Sequence, residues 1–356
     1  MAKRRIWVGL DVGNDQIQLC AIDSKERVIR EVAVPTEQAA LAQSLVISGC
    51  TVEKIALEAG ALSIHLVRHL TEAGFQVDCY EARQISRYLR VRVNKTDTND
   101  ARGLAEIAKR GPNSLSTVHT KKPENQRVRS KLVFRHKLTL HRMAGESMIR
   151  SFIRLNGGKV PRAKTAATLE KNVRHELKRM RSEVGVDLEE EILPLLKLTM
   201  SLRAYLADLD RNMKHWAERH PVCARMMKIP GVGPITAASF CSAVDDPDRF
   251  RRAKDVGAYF GLTPIVHQSG KTLKHGRISK RGNKLTRSHL TLAASSILNV
   301  ASDGPLKAWG KNIAERAGPG KARVALARKL AVIMLAVWKS GEKYDPDHSE
   351  NRALQE

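Results

Sequence analysis

Three short runs near the start of the chain, RIWVGLDV, QIQLCAI and RVIREVAVP, read as strands, apolar residues with polar ones interleaved, and are separated by the turn-forming stretches GND and DSKE. Alternation with period two marks strands, and connections this short join only antiparallel neighbours, so residues 5–34 predict a three-stranded meander. A helical pattern follows around 36–47, then a short strand in KIALEA carrying Glu58 at its end. A helix around 61–73, a strand in FQVDCYE near 75–81, and a helix opened by Thr96 or Asp97 complete the region. Three antiparallel strands succeeded by alternating helix and strand describe a ribonuclease-H-like, or RuvC-like, α/β sheet. A dinucleotide-binding domain would alternate from its first strand.

The stretch NKTDTNDARG at 94–103 adds a chemical constraint. At helical spacing Asp97 and Asp100 share a face that continues through the apolar Ala101, Leu104 and Ile107, which predicts that both carboxylates point inward. Unpaired buried carboxylates cost roughly several kcal/mol, so a cation, a donor or a shared proton is expected beside them. Asp11 at the end of the first strand and Glu58 at the end of a later one supply two more acids for such a place. Hard divalent cations such as Mg²⁺ or Mn²⁺ prefer carboxylate oxygens and assist phosphoryl transfer. Taken singly, the same acids also fit a helix cap, a first-turn acid and a turn residue.

Charge narrows the partner. The 356 residues, enough for about two domains, carry 62 Lys and Arg against 37 Asp and Glu, a net +25, and residues 121–183 alone hold 18 basic and 5 acidic side chains. Such a field attracts polyanions, and Arg127, Arg129, Lys131 and Arg135 are candidates for phosphate contact. Aromatic residues at 4% are too few for a base-stacking platform, so backbone recognition of duplexes is expected. The five cysteines have no CxxC spacing, which indicates neither a zinc site nor a disulfide framework and fits a reducing cytoplasm. No secretory leader and no membrane span are indicated, and VALARKLAVIMLAVW, interrupted by Arg328 and Lys329, reads as a buried amphipathic helix.

From 122 to 222 the chain reads as helical, with its clearest break at 157–163. Leu188, Ile192, Leu195, Thr199, Leu202, Leu206, Leu209 and Met213 form a heptad seam whose partner is either an antiparallel helix of the same chain or a second protomer. Pro194 places the start of the regular helix in question. The boundaries expected are 1–121 for the sheet domain, 122–222 for a basic helical, coiled-coil region, 223–340 for a mostly helical globular domain, and 341–356 for a polar tail.

Two motifs lie in the last domain. MMKIPGVGPITAASF has the form of a helix-hairpin-helix, in which Gly231 and Gly233 let the backbone approach a phosphate at the start of the second helix. A tight helix–helix turn without ligand satisfies the same residues. In GLTPIVHQSGKTLKHGRISKRGNK, Ser269 stands among Lys271, Lys274, Arg277, Lys280 and Arg281. A dense positive field is one means of assisting a serine nucleophile and holding the phosphate it attacks, while a polar turn in a phosphate-binding loop is the plainer reading. Ser279 competes for the role but resembles a helix cap.

In this order, GLDVGND, LEAG, KTDTNDARGLAEI, IPGVGPITA and GLTP…QSGK…GRISKRGN resemble the DEDD transposases of the insertion-sequence family numbered one hundred and ten, relatives of the Piv DNA invertase. The resemblance runs from about residue 5 to 340. It implies that the acidic set falls on Asp11, Glu58, Asp97 and Asp100 and holds Mg²⁺ or Mn²⁺. It further implies that Ser269 attacks DNA to give a phosphoserine intermediate, that donor and target DNA are the substrates, and that a structured bridge RNA guides both. A homo-oligomer, dimer or tetramer, is expected because two strands of two DNAs must be exchanged, in a bacterial or archaeal cytoplasm at the nucleoid. A hydrolytic RuvC-like nuclease is the alternative enzyme, and a non-enzymatic nucleic-acid-binding protein is the third class.

Overall fold

A computed structural model describes residues 3–90, 96–111, 115–269 and 272–346. The chain divides into two compact units, Met1–Lys121 and Lys122–Glu356. The first contains strands β1 (Arg4–Val12), β2 (Gln16–Asp23), β3 (Val28–Pro35), β4 (Cys50–Glu58) and β5 (Val77–Tyr80), with helices α1 (Gln38–Leu45), α2 (Ser63–Glu72), α3 (Ala82–Leu89) and α4 (Asp97–Arg110). The sheet order is β3-β2-β1-β4-β5, with the meander antiparallel and β4 and β5 parallel to β1. This is the ribonuclease-H-like order of elements expected from the sequence. Helix α3 was not anticipated, because ARQISRYL is short and mostly polar and Ile85 is its one buried residue.

Strand β1 is covered on both faces. Ile6, Val8 and Leu10 pack with Leu41 of α1 and Leu66 and Leu70 of α2, whereas Trp7 contacts the cluster made by α4 with β4 and β5. Gly9 meets α4 directly: a Cβ there would lie 2.0 Å from the Ala101 carbonyl oxygen and 2.3 Å from the Ala105 amide nitrogen. Backbone atoms cannot rotate aside as a side chain can. Gly9→Ala is therefore expected to destabilise this unit by about 1–3 kcal/mol through overpacking, measured by denaturant unfolding. A wild-type midpoint would show that α4 is not seated on β1.

The second unit opens with α5 (Pro123–Leu155) and α6 (Ala166–Arg179), which continues as a π-helical turn over Met180–Val184, and then α7 (Glu189–Arg219). Arg135 pairs with Asp210, a Cβ on Gly145 would meet Thr199, and Ile149 and Ile153 share a cluster with Ile192 and Leu196. Rising numbers on one helix meet falling numbers on the other, so the partner of the predicted seam is an antiparallel helix of the same chain. Of the predicted seam, Leu188, Ile192, Thr199, Leu206 and Met213 are buried and Leu195, Leu202 and Leu209 are half-buried, while Leu196, outside it, is buried in place of Leu195. Thr199, its polar member, donates its hydroxyl to the Leu195 carbonyl at 2.8 Å and lies where Gly145 admits close approach. Pro194 lies inside α7 and does not start it. Its side is exposed, where the lost backbone hydrogen bond is cheapest.

The remaining elements are α8 (Pro221–Met226), α9 (Pro234–Val244), a 3-10 turn at Pro247–Arg249, α10 (Asp255–Tyr259), the hairpin β6 (Pro264–Ser269) with β7 (Thr272–Ile278), α11 (Lys284–Asn299), α12 (Pro305–Ala317) and α13 (Pro319–Ser340). Helix α13 contains the apolar run expected to be a buried helix, and Leu326, Leu330, Ile333 and Met334 are fully buried. No helix of the described residues is long and apolar enough to cross a membrane. Ala217 of α7 belongs to the same core as Cys223, Phe240 and Leu330, so 122–222 and 223–340 fold within a single compact unit.

Candidate catalytic and nucleic-acid-binding sites

Parallel pairing of Leu10 with Leu57 puts the next residues, Asp11 and Glu58, beside each other at the ends of β1 and β4. Strand alternation gives Asp11 the face of Gly9, and Glu58 the face of Ala56, which is the face covered by α4. The far end of α4 is tied to Glu26 in the β2–β3 turn, by Lys109 Nζ at 3.1 Å and Arg110 Nη2 at 3.1 Å. Hydrogen bonds from Arg110 and Lys109 hold the Glu26 carboxyl below its usual range. Because that turn lies at the sheet end where Ile6 pairs with Asp23, the opposite end of α4 reaches toward the edge where β1 and β4 finish. Thr96 caps α4 there by accepting from the Asn99 amide at 3.1 Å, and Asp97 and Asp100 occupy the first turn.

All four predicted acids therefore belong to one end of one sheet face. The inward orientation expected for Asp97 and Asp100 is corrected. Ala101, Leu104 and Ile107 are buried, but Asp97 is exposed and Asp100 half-buried. First-turn N–H groups and the helix dipole favour carboxylates at this position without burial. Among the described residues, a trio of His, Cys, Asp or Glu with donor atoms within 4.8 Å of one another occurs only at His220, Cys223 and Cys241, so the acids are grouped and not clamped together.

Ser269 ends β6, opposite Thr272 on β7. These two strands were not anticipated, because β6 is exposed throughout and has no buried face to impose an apolar period. Pairing of His267 with Lys274 and alternation along the strands bring His267, Ser269 and Lys274 to one face of the hairpin. His267 was not singled out in the sequence, although His-x-Ser in an exposed strand carries the signal. Lys274, Arg277, Lys280 and Arg281 are all exposed. Lys271 lies outside the described residues. The base of the hairpin is held where Gly261 and Gly282, both at positive φ, pack backbone to backbone on Arg281 and Tyr259. Ser279 is not a helix cap: its amide donates to the Thr263 carbonyl at 2.9 Å, and Asn283 caps α11 by accepting from Leu285 at 3.0 Å and Thr286 at 3.2 Å.

A cleft of about 1160 Å³ borders the hairpin base and is lined by Lys254, Arg277, Lys280, Lys321, Arg328 and Lys329 together with Trp309. Lys329 lies over the Trp309 ring at 4.6 Å from its centroid. Lys254 and Lys321 were not singled out in the sequence and Arg328 only as an interruption of the apolar run, although the seven-residue step from Lys321 to Arg328 along α13 was the available signal. The stretch expected to form a helix-hairpin-helix places a turn between α8 and α9, and its two glycines differ. A Cβ on Gly231 would strike Ile297 at 2.6 Å and the Ala293 carbonyl at 2.7 Å, so this glycine serves packing on α11. Gly233 opens onto free space directly before α9.

Of the four basic residues proposed on α5, Arg127 and Lys131 are exposed. Burial lowers the Arg129 guanidinium below its usual value, and Arg135 is engaged with Asp210, its Nη2 at 3.1 Å. Replacing Arg127 and Lys131 by Gln is expected to weaken nucleic-acid binding across sequences and to flatten the log–log salt slope by about 1.8, near 0.9 per phosphate contact. Fluorescence anisotropy over a salt series measures it, and an unchanged slope would make α5 a solvated surface.

Comparisons with known proteins bear on this arrangement. Residues 8–155 match a family profile described as a transposase, the DEDD transposase domain of IS110, and residues 223–307 match "Transposase IS116/IS110/IS902 family". The chain is 31% identical over 343 residues to the transposase for insertion sequence element IS1111A of Coxiella burnetii, covering 95% of this chain and 90% of that one. It is 27% identical over 346 residues to a probable family 20 transposase of Pseudomonas aeruginosa, covering 95% and 98%. The transposase for insertion sequence element IS1328 of Yersinia enterocolitica is 26% identical over 298 residues, covering 81% and 84%. With the acidic domain and the serine-bearing domain both matched and the likeness running nearly end to end, the chain belongs to the IS116/IS110/IS902 family of insertion-sequence transposases, enzymes that cut and rejoin DNA.

Proposed function

We propose that this transposase cuts DNA through a covalent phosphoserine at Ser269, assisted by the carboxylates of Asp11, Glu58, Asp97 and Asp100. The observation that carries the reading is the grouping of those four acids, drawn from β1, β4 and α4, at one end of one sheet face. An all-oxygen anionic donor set suits a hard divalent cation, and DEDD transposase domains typically use one. When bound there, Mg²⁺ or Mn²⁺ supplies charge stabilisation to phosphoryl oxygens. The chain's own groups do the rest. Ser269 Oγ forms a bond to the scissile phosphorus, the phosphorus–oxygen bond to the departing deoxyribose breaks, and that oxygen leaves as a hydroxyl carrying the proton lost by serine. Attack by a hydroxyl of the second DNA reverses the step and frees Ser269. His267 shares the face of Ser269 and is suited to accept its proton, and Lys274 and Arg277 offset phosphate charge.

The reading extends to partners. Donor DNA, target DNA and a structured bridge RNA are the partners that the family resemblance implies, and a net charge of +25 suits polyanionic partners in general. Exchange of two strands on two DNAs calls for a homo-oligomer. The test is incubation with Mg²⁺ and a nicked suicide duplex bearing the element's end, with its bridge RNA, followed by denaturing electrophoresis. Labelled DNA should migrate with the protein and be released by protease. Cleaved strands without any adduct would replace this mechanism with hydrolysis by water.

A further inference from the structure

Helices α8 and α9 carry a cluster that the acidic and serine chemistry does not use. Cys223 and Cys241 are buried, with sulfurs 3.4 Å apart, although eighteen residues separate them in sequence. The sulfur of the fully buried Met226 is 3.7 Å from Cys241 Sγ. His220, half-buried at the start of α8, brings a ring nitrogen within 4.8 Å of both thiols. We propose that His220, Cys223 and Cys241, with the Met226 thioether in the fourth position, form a site for one Zn²⁺ that staples α8 to α9 across the Pro230-Gly231-Val232-Gly233 turn.

Three observations carry it. The donors are soft sulfur and imidazole nitrogen, the set that selects Zn²⁺ over Mg²⁺. Their spacing fits a metal better than a disulfide. With zinc–sulfur bonds of about 2.3 Å, sulfurs on a tetrahedral edge stand about 3.8 Å apart, whereas a disulfide needs about 2.05 Å. The separations of 3.4 and 3.7 Å lie closer to the former. Charge also balances, because two thiolates, an imidazole and a thioether around a divalent ion leave no net charge in the apolar core that contains Cys223, Met226 and Cys241. His220 is the least buried donor and opens the site toward solvent, stacked on Trp216 at 4.9 Å between ring centroids. On binding, each thiol gives its proton to solvent and each sulfur forms one bond to the ion, with no change of oxidation state.

The experiment uses the full chain, purified from zinc-supplemented cells under reducing conditions and dialysed against zinc-free buffer. Metal analysis should find about one zinc per chain. Replacement by Co²⁺ should give thiolate-to-cobalt charge-transfer bands in the near ultraviolet, lost in Cys223→Ser and shifted in His220→Ala. Zinc at background in the wild-type protein would overturn the proposal, whether thiol titration then finds all five cysteines free or a Cys223–Cys241 disulfide. If Cys223→Ser does not fold, the wild-type zinc content and the His220→Ala cobalt spectrum still decide. An unchanged cobalt spectrum in His220→Ala removes His220 and with it the site as stated.

Discussion

Ser269→Ala is expected to yield no covalent DNA adduct and no recombination, a loss of at least about 10³-fold, or roughly 4 kcal/mol of barrier. Ser269 is exposed at the end of an exposed strand, so removing its oxygen opens no cavity and breaks no buried hydrogen bond. Stability should stay within about 0.5 kcal/mol of wild type. Nucleic-acid binding should persist too, because affinity resides in the lysines and arginines. Ser269→Cys is expected to retain a trace of adduct, since a thiolate attacks phosphorus but differs from an alkoxide in size and metal preference. Ser279→Ala serves as the control. Its hydroxyl caps no helix, so neither cleavage nor stability should change measurably. Cleavage at the wild-type rate by Ser269→Ala would make water the nucleophile.

Replacing any one of Asp11, Glu58, Asp97 and Asp100 by Ala should abolish cleavage supported by Mg²⁺ or Mn²⁺ while leaving binding largely intact. The acids stand on three different elements, and none is fully buried, so no single truncation dismantles the core. Their contribution is charge at a place that the lysines and arginines cannot substitute. The measurement is parallel cleavage and anisotropy on each variant, with EDTA on wild type as the reference for complete loss. Asp97 is the most discriminating position, because an exposed first-turn acid with no chemical role is dispensable. Full activity of Asp97→Ala would remove the site.

The sheet was legible because its strands are short runs rich in apolar and β-branched residues, closed by the local turn signals GND and DSKE. Strand β1 is covered on both faces, so Ile6 to Leu10 form a continuous apolar run that needs no knowledge of the rest of the chain. Thr96 was legible as a boundary because capping is local. What escaped depends on through-space neighbours. The hairpin carrying Ser269 has no buried face to write a period into Pro264–Ser269. The orientation of Asp97 and Asp100 was misjudged because helical phase tells which side a residue lies on, but not whether the neighbouring sheet covers that turn. Ser279 looked like a cap, while Asn283, one residue before the real helix, held the hydrogen bonds. His220 and Cys223 make a short His-x-x-Cys step, but Cys241 lies eighteen residues further on, and only the fold-back of α9 on α8 joins it to them.

The antiparallel pair α5 and α7 is built unevenly. At one end Val128, Leu132 and Met213 pack with Ala238 of α9; at the other, Ile149, Ile153, Ile192 and Leu196 pack with α6. Between them lies a polar waist, where Arg135 meets Asp210 and where Glu146 accepts from Arg142 and from Arg203 on the facing helix. Burial alone would raise the Glu146 carboxyl, but these guanidinium partners hold it below its usual range. A helix of 33 residues is about 50 Å long, too long for one apolar patch to fasten. The pair is thus fastened at both ends and hinged on charge in the middle. Its tip has a cluster large enough to open and close as its own cooperative unit, so amide exchange along α5 should fall into two protection classes divided at the waist.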